Sequence, residues 1–471
     1  MQYNELGQEI ERILPGDVIS KWQYDVTGRP THHRINSQNR DTRRRVYNWD
    51  VNHRLRSMVN ELTGVKVTYG YDEFSNLVWS NQGGQFDFLH RSVDDVGNLY
   101  ETKEKTDRVY GAGSRLLETR EATFSYDDEG NLVQKVEKNG DTWKYEYYGN
   151  GMMSKVVCYS QNNLTLNKEI TFKYDPLGRR VEKNYEGKNT HFVWDSNTVL
   201  HEWVVTADKI SIQDAYTNQQ GDFVTWVYDD NSLTPSAKIT NEGNFSIISD
   251  YIGTPLEAYD EEGNLVWSIG LDIYGRVKEL IGYNNLIPFR FQGQYMDEET
   301  GLYYNRFRYY SPNEGIYTQQ DPIGLAGNNP TLYGYVRDSN IEIDLFGLAK
   351  ANGGNAPKHG SNNHNKRIDD QIQKLKQDPD IRNIRKNQQQ VDANGNKVGN
   401  NRPDIQYDKH DIHHNIEYDT SKRGSLKHQN QIPVNDPNSR NTYEIIDKKN
   451  GQTLEGHSQL PKNKKSRKGP C

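Results

Sequence analysis

Residues 126–132 read Tyr-Asp-Asp-Glu-Gly-Asn-Leu, and the order of residue types in that heptad decides the fold. An aspartate at the entrance of a tight turn accepts hydrogen bonds from the amides that follow it. A glycine takes the left-handed corner, and an apolar residue opens the returning strand. The pattern recurs at Tyr24-Asp25 with Gly28-Arg29, at Tyr71-Asp72 with Ser75-Asn76-Leu77, and at Asp94 with Gly97-Asn98-Leu99. Two more copies are Tyr174-Asp175 with Gly178-Arg179 and Tyr259-Asp260 with Gly263-Asn264-Leu265. Six copies that agree in residue type as well as spacing predict an array of β-hairpins. Between them, stretches such as TWKYEYY (142–148) and ITFKY (170–174) alternate apolar and polar positions, the period of a strand with one buried face.

The remaining composition agrees with a mainly β chain. Its 471 residues exceed what one hydrophobic core organises, so more than one unit is expected. Only 33% of the residues are hydrophobic, yet there are 31 Tyr and 39 Gly, which excludes a helical bundle. Two cysteines, Cys158 and Cys471, are too few for a disulfide framework or a thiolate metal site. No apolar run of about 18 residues predicts a membrane span. The segment MQYNELGQEIERILPG lacks the basic and apolar regions of a secretory leader, so export is expected by a signal-independent route.

Charge and aromatic content change near residue 349. Residues 351–471 carry 22 Lys and Arg against 14 Asp and Glu, whereas the whole chain has a net charge of -7. All eight Trp and all twelve Phe precede Ala349. A boundary is therefore expected there, with a shell over 1–348, a polar linker over 349–365 and a small basic domain over 366–471.

The repeats resemble the YD repeats of Rhs-type polymorphic toxins. The resemblance is strongest where GQYMDEETGLYYNRFRYYSPNEGIYTQQDPIGLAGNNPTLYGYVRDSNIEIDLFGL is similar to the Rhs-associated core, expected over about 270–348. It implies a hollow β cocoon around a C-terminal toxin. It also implies aspartyl autoproteolysis by Asp321 of the Asp-Pro-Ile-Gly-Leu motif and Asp344 of the Asp-Leu-Phe-Gly-Leu motif, with the cut after Leu348. Adjacent carboxylates that share a proton suit that chemistry, because one can act as base while the other acts as acid. Asp344-Leu345 departs from the family's Asp-Pro, so a less fixed backbone and slow cleavage are expected there. Complete shells of this family are longer, so the chain is expected to be an orphan or truncated cassette, with secretion-spike or chaperone partners acting through N-terminal regions it lacks.

The basic domain carries its own pattern. Ile368, Ile372 and Leu375 predict an amphipathic helix over 366–377, ended by Asp378-Pro379. Residues 404–408 and 414–419 predict a hairpin turning at 409–411. Alternation places Glu417 and Asp419 on one face, where Asp404 can join them. Three such carboxylates suit Mg2+. The pattern partly resembles PD-(D/E)xK nucleases, a restriction-endonuclease-like α/β fold, with Arg402-Pro403-Asp404 and Glu417-Tyr418-Asp419 in the motif positions. Asp419 stands where that motif has lysine, so the missing cation is expected from Lys422, Arg423 or Lys427.

These features predict a secreted antibacterial toxin whose metal-dependent nuclease domain cleaves DNA or RNA in the target-cell cytoplasm. Type VI export and a cognate immunity protein are implied by the resemblance. The basic tail PKNKKSRKGPC is suited to phosphate contacts. Two alternatives stay open. His410, His413, His414 and His428 suit a metal-independent RNase, and the repeats alone suit a non-enzymatic surface scaffold or adhesin.

Overall fold

In a computed structural model the chain forms two compact units, Met1–Gly354 and Asn355–Cys471. The structure describes all residues except 85–86, 161–164, 207–222, 230–231, 328, 330, 349–350, 353–361, 387–388, 393, 399–402, 411, 420–421, 448–451 and 461–471.

The first unit is antiparallel β throughout. Among the described residues, a nine-stranded sheet runs from Gln2 to His90, and a sixteen-stranded sheet runs from Arg108 to Ile281. In both, each strand pairs with its sequence neighbour, so the fold is a meander built hairpin by hairpin. A four-stranded sheet between Tyr295 and Tyr317 follows. Its strands Leu302–Asn305 and Arg308–Ser311 are buried at every position.

The repeat chemistry explains these hairpins. Asp25 Oδ1 accepts from the amides of Thr27 and Arg29, and its Oδ2 accepts from Arg29 Nε at 2.7 Å. Gly28, at φ 85°, makes the corner. The repeat tyrosines do a second job that their position in the motif did not reveal. The hydroxyls of Tyr24, Tyr71 and Tyr174 donate to the carbonyls of Glu9, Leu55 and Met153, tying one hairpin to the one before it. Three further turns of the same geometry begin at Asp50, Asp250 and Asp272. They lie outside the six copies, with Trp49, Ser249 and Leu271 at the position where five of those copies have tyrosine.

The second unit is α/β and is numbered from its own start. Helix α1 (Asn362–Leu375) precedes strands β1 (Ile381–Lys386), β2 (Ile405–Lys409) and β3 (Ile412–Asp419). Helix α2 (Lys422–Asn435) then leads to β4 (Arg440–Ile446) and β5 (Thr453–Gln459). The five strands lie in sequence order, antiparallel except for β3 and β4, which α2 connects in parallel. Two expectations need correction. The helix starts at Asn362 rather than Lys366, inside the expected linker, because docking of Ile368, Ile372 and Leu375 outweighs the weak helix propensity of its Asn-rich first turn. The hairpin strands run further than expected, with Lys409 of β2 paired to Ile412 of β3 and His410 at φ 49°.

Among the described residues, no helix is long and apolar enough to cross a membrane. Cys158 is a buried free thiol, and Cys471 lies outside the described residues.

Candidate functional site

In the second unit the sheet separates two chemistries by face. Ile416 and Tyr418 of β3 pack with Ile405 and with Ile368, Ile372 and Leu375 of α1. The alternate residues His413, Asn415, Glu417 and Asp419 are buried on the opposite face, and α2 packs on β3 and β4. Strand alternation thus places Glu417 and Asp419 together.

His428 of α2 completes the group. Its Nδ1 lies 3.0 Å from Glu417 Oε1 and 3.1 Å from Asp419 Oδ1, and one ligand atom from each of the three residues falls within 4.8 Å of the others. Asp404, just before β2, joins through the backbone. Its amide donates to Glu417 Oε2 at 3.2 Å, and its Oδ2 accepts from the Tyr418 amide at 2.8 Å. Burial pushes the Glu417 carboxyl up, and the charges of Asp404 and Asp419 add to that shift. Hydrogen bonds to Asp419 and Glu417 hold the His428 imidazole up to about 10, so it is a cation at neutral pH.

Of the three expected cations, only the side chain of Lys422 lies among the described residues. Lys422 is 74% exposed and pairs with Glu455 at 2.6 Å, a surface contact that fixes it away from this role. The side chains of Arg423 and Lys427, the whole of Arg402 and the tail 461–471 lie outside the described residues. Among the described residues, His428 sets a positive charge against Glu417 and Asp419. Ser425, His428 and Ile432 recur at helical spacing, and that docking face was the available sequence signal.

The four histidines do not gather. His410 is exposed beside Asp380, and His413 is buried with Nδ1 2.6 Å from Asp408. His414 stacks on Tyr407 at 4.6 Å, and burial lowers its imidazole to about 4.

In the first unit, Asp321 and Asp344 meet at a residue that the sequence did not single out. Arg308 Nη2 donates to Asp321 Oδ2 at 3.1 Å and to Asp344 Oδ2 at 3.3 Å. Its Nε donates to the Gly347 carbonyl, and its guanidinium lies 3.7 Å from the centroid of the Tyr317 ring. The Tyr317 hydroxyl donates to Asp344 Oδ2 at 2.9 Å. A guanidinium thus bridges the carboxylates where a shared proton was expected. Burial pushes the Asp321 carboxyl up against the pull of Arg308.

The loose backbone expected at Asp344-Leu345 is also corrected. Asn305 Nδ2 donates to the Asp344 carbonyl at 2.8 Å, the Phe307 amide donates to the Phe346 carbonyl at 3.2 Å, and Arg308 holds Gly347. Side chains and backbone of the buried strand pair do the work that a proline ring does elsewhere.

Comparison with known proteins agrees with the first unit. Residues 10–331 match the model of the family described as Teneurin YD-shell. The double-stranded DNA deaminase toxin A of Burkholderia cenocepacia is 29% identical over 329 residues, covering 65% of this chain and 22% of that protein. The probable deoxyribonuclease RhsB of Dickeya dadantii is 26% identical over 373 residues, covering 74% of this chain and 24% of that protein. The chain therefore spans under a quarter of the length of these relatives. A Photorhabdus luminescens Tc holotoxin pore superposes with a TM-score of 0.53 at 16% identity, over 76% of this chain and 19% of that one, which shows a shared fold. With more than half of its length matched by the family model, the chain belongs to the Teneurin YD-shell family, as a protein of the Rhs/YD-repeat type.

Proposed function

We propose that the chain is the C-terminal part of an antibacterial Rhs toxin whose second unit is a metal-dependent nuclease. One observation carries the reading: Glu417, Asp419 and His428, from two different elements, converge within 4.8 Å beside Asp404. Carboxylate oxygens suit a hard divalent cation, so the acidic donors fit Mg2+ or Mn2+, with the His428 imidazolium beside them rather than among the ligands. Glu417, Asp419 and Asp404 would hold such an ion, which lowers the pKa of bound water for attack on a phosphodiester. The chain's own residues set up that attack. Strand β3 fixes both carboxylates from one rigid backbone, Asp404 caps the same strand end through Tyr418, and the His428 imidazolium supplies the positive charge that Asp419 cannot. Relatives whose names specify a deoxyribonuclease and a DNA deaminase support nucleic acid as the substrate.

The first unit is the carrier in this proposal. It carries and then releases the nuclease by a cut after Leu348, with Asp344 as the carboxylate that accepts hydrogen bonds and Asp321 as the one that carries the proton. Export through a type VI machine, a spike-bound N-terminal region and an immunity protein complementary to the basic second unit complete the proposed cycle. Producing residues 349–471 in bacteria tests the nuclease. Growth arrest with degraded DNA or RNA, relieved by Glu417→Gln, is expected. Arrest with intact nucleic acid points to another toxin chemistry, and full viability points to a scaffold.

A further inference from the structure

We infer that Tyr443 is a positioning residue of the acidic site, its hydroxyl set to donate to a water carried by a divalent cation bound at Glu417 and Asp419. This rests on the nuclease reading and names a residue that neither the sequence motif nor the relatives supply.

Three observations lead to it. Tyr443 is 1% exposed, and its Oη is buried without a hydrogen-bond partner. Buried hydroxyls are normally paired, because leaving one unpaired forfeits its hydration, and an orphan at a polar site marks a place where something else binds. The parallel register sets Tyr443 directly opposite Glu417, so its ring stands on the same sheet face as Glu417 and Asp419. Those two carboxylates are also the charges that act on its phenol.

A buried hydroxyl on the acidic face fits a role toward a bound ligand better than a packing role. Phenylalanine would fill the same volume without an orphan donor. In the cation-free chain the carboxylates already accept from His428 and from the Asp404 amide, and the phenol stays unused. A divalent ion keeps several of its waters when carboxylates bind it, and each such oxygen needs an acceptor or donor from the surrounding shell. Tyr443 Oη is a buried donor on the sheet face that carries both carboxylates, and in this inference it orients one water without transferring a proton of its own.

The test uses the full chain and three forms of it: wild type, Tyr443→Phe and Glu417→Gln. Mn2+ binding is measured by titration calorimetry without nucleic acid, and hydrogen exchange follows the amides of residues 414–419 and 440–446. Expected results are about tenfold weaker Mn2+ binding for Tyr443→Phe, with amide protection equal to or above wild type, and no Mn2+ binding for Glu417→Gln. Wild-type binding by Tyr443→Phe beside a dead Glu417→Gln overturns the role of Tyr443 and leaves the metal site standing. Reduced amide protection in Tyr443→Phe also overturns it, since the hydroxyl would then be holding the fold. Mn2+ binding that survives Glu417→Gln removes the metal site, and this inference with it.

Discussion

The backbone amide of Leu348 donates to Asp344 Oδ1 at 3.1 Å, so the residue at the proposed cut hangs on one of the carboxylates proposed to make it. Arg308 holds both aspartates and the Gly347 carbonyl at once, which fixes the approach of the chain to the pair. Asp321→Asn and Asp344→Asn are expected to leave the purified 54.6 kDa chain whole on a denaturing gel while the wild type separates. Arg308→Gln leaves two buried carboxylates without their cation, which costs about 3–5 kcal/mol and slows the cut. A wild-type cleavage rate in Asp344→Asn would refute the assignment.

At the second unit the discriminating comparison is between two cations. His428→Ala removes the charge that sits between Glu417 and Asp419, whereas Lys422→Ala removes one that pairs with Glu455 at the surface. The expected loss of nuclease rate is on the order of 100-fold for His428→Ala, and under about twofold for Lys422→Ala, on plasmid and total RNA with EDTA as the blank. Equal losses in the two variants would place the essential charge outside the acidic group.

The contrast between these cations shows where the sequence was readable. The turn aspartates, the β3 alternation and the pairing of Glu417 with Asp419 follow from local rules, because a period of two and a turn motif depend only on neighbours in the chain. Arg308 was not legible as a site residue, and His428 was legible only as a member of a histidine cluster, not as the partner of Glu417 and Asp419. Each reaches its carboxylates through tertiary packing: Arg308 spans 13 residues to Asp321 and 36 to Asp344. His428 arrives from a helix whose docking face carries polar groups at the positions where an apolar stripe is the usual signal. Lys422 looked suitable because it is close in sequence, and proximity in sequence is what α2 undoes by turning it outward.

Arg180 and Asp297 tie the closing four-stranded sheet to the repeats. Their contact is 2.5 Å, both side chains are almost fully buried, and the guanidinium lies within 5.5 Å of the ring centroids of Phe172, Phe192, Tyr295 and Tyr304. Asp297→Asn strands a cation in an aromatic cage and is expected to cost about 3–5 kcal/mol, read as a lower denaturation midpoint for the first unit. Replacing both partners, Arg180→Met with Asp297→Leu, should recover most of that loss, because the stranded charge then disappears. A double variant as weak as Asp297→Asn would show that the pair acts through something other than its charges.

Two buried carboxyls of the first unit favour the folded state more at mildly acidic than at alkaline pH. Burial pushes Asp338 up to about 7 and Asp250 up to about 6, both above the ordinary 3.8. A group whose folded-state value is raised binds more protons folded than unfolded, so stability must fall as the pH rises. The contribution is present below about pH 4 and is lost progressively as the pH climbs through about 6 and then 7. The first unit is therefore expected to be on the order of 3 kcal/mol more stable at pH 5 than at pH 8 from these two groups. Asp338→Asn removes the titration while keeping a side chain of the same size and an acceptor for the Asn340 amide. Urea unfolding at pH 5 and pH 8 should show a gap that narrows in Asp338→Asn. An unchanged gap in that variant would mean that Asp338 is already ionised in the folded shell.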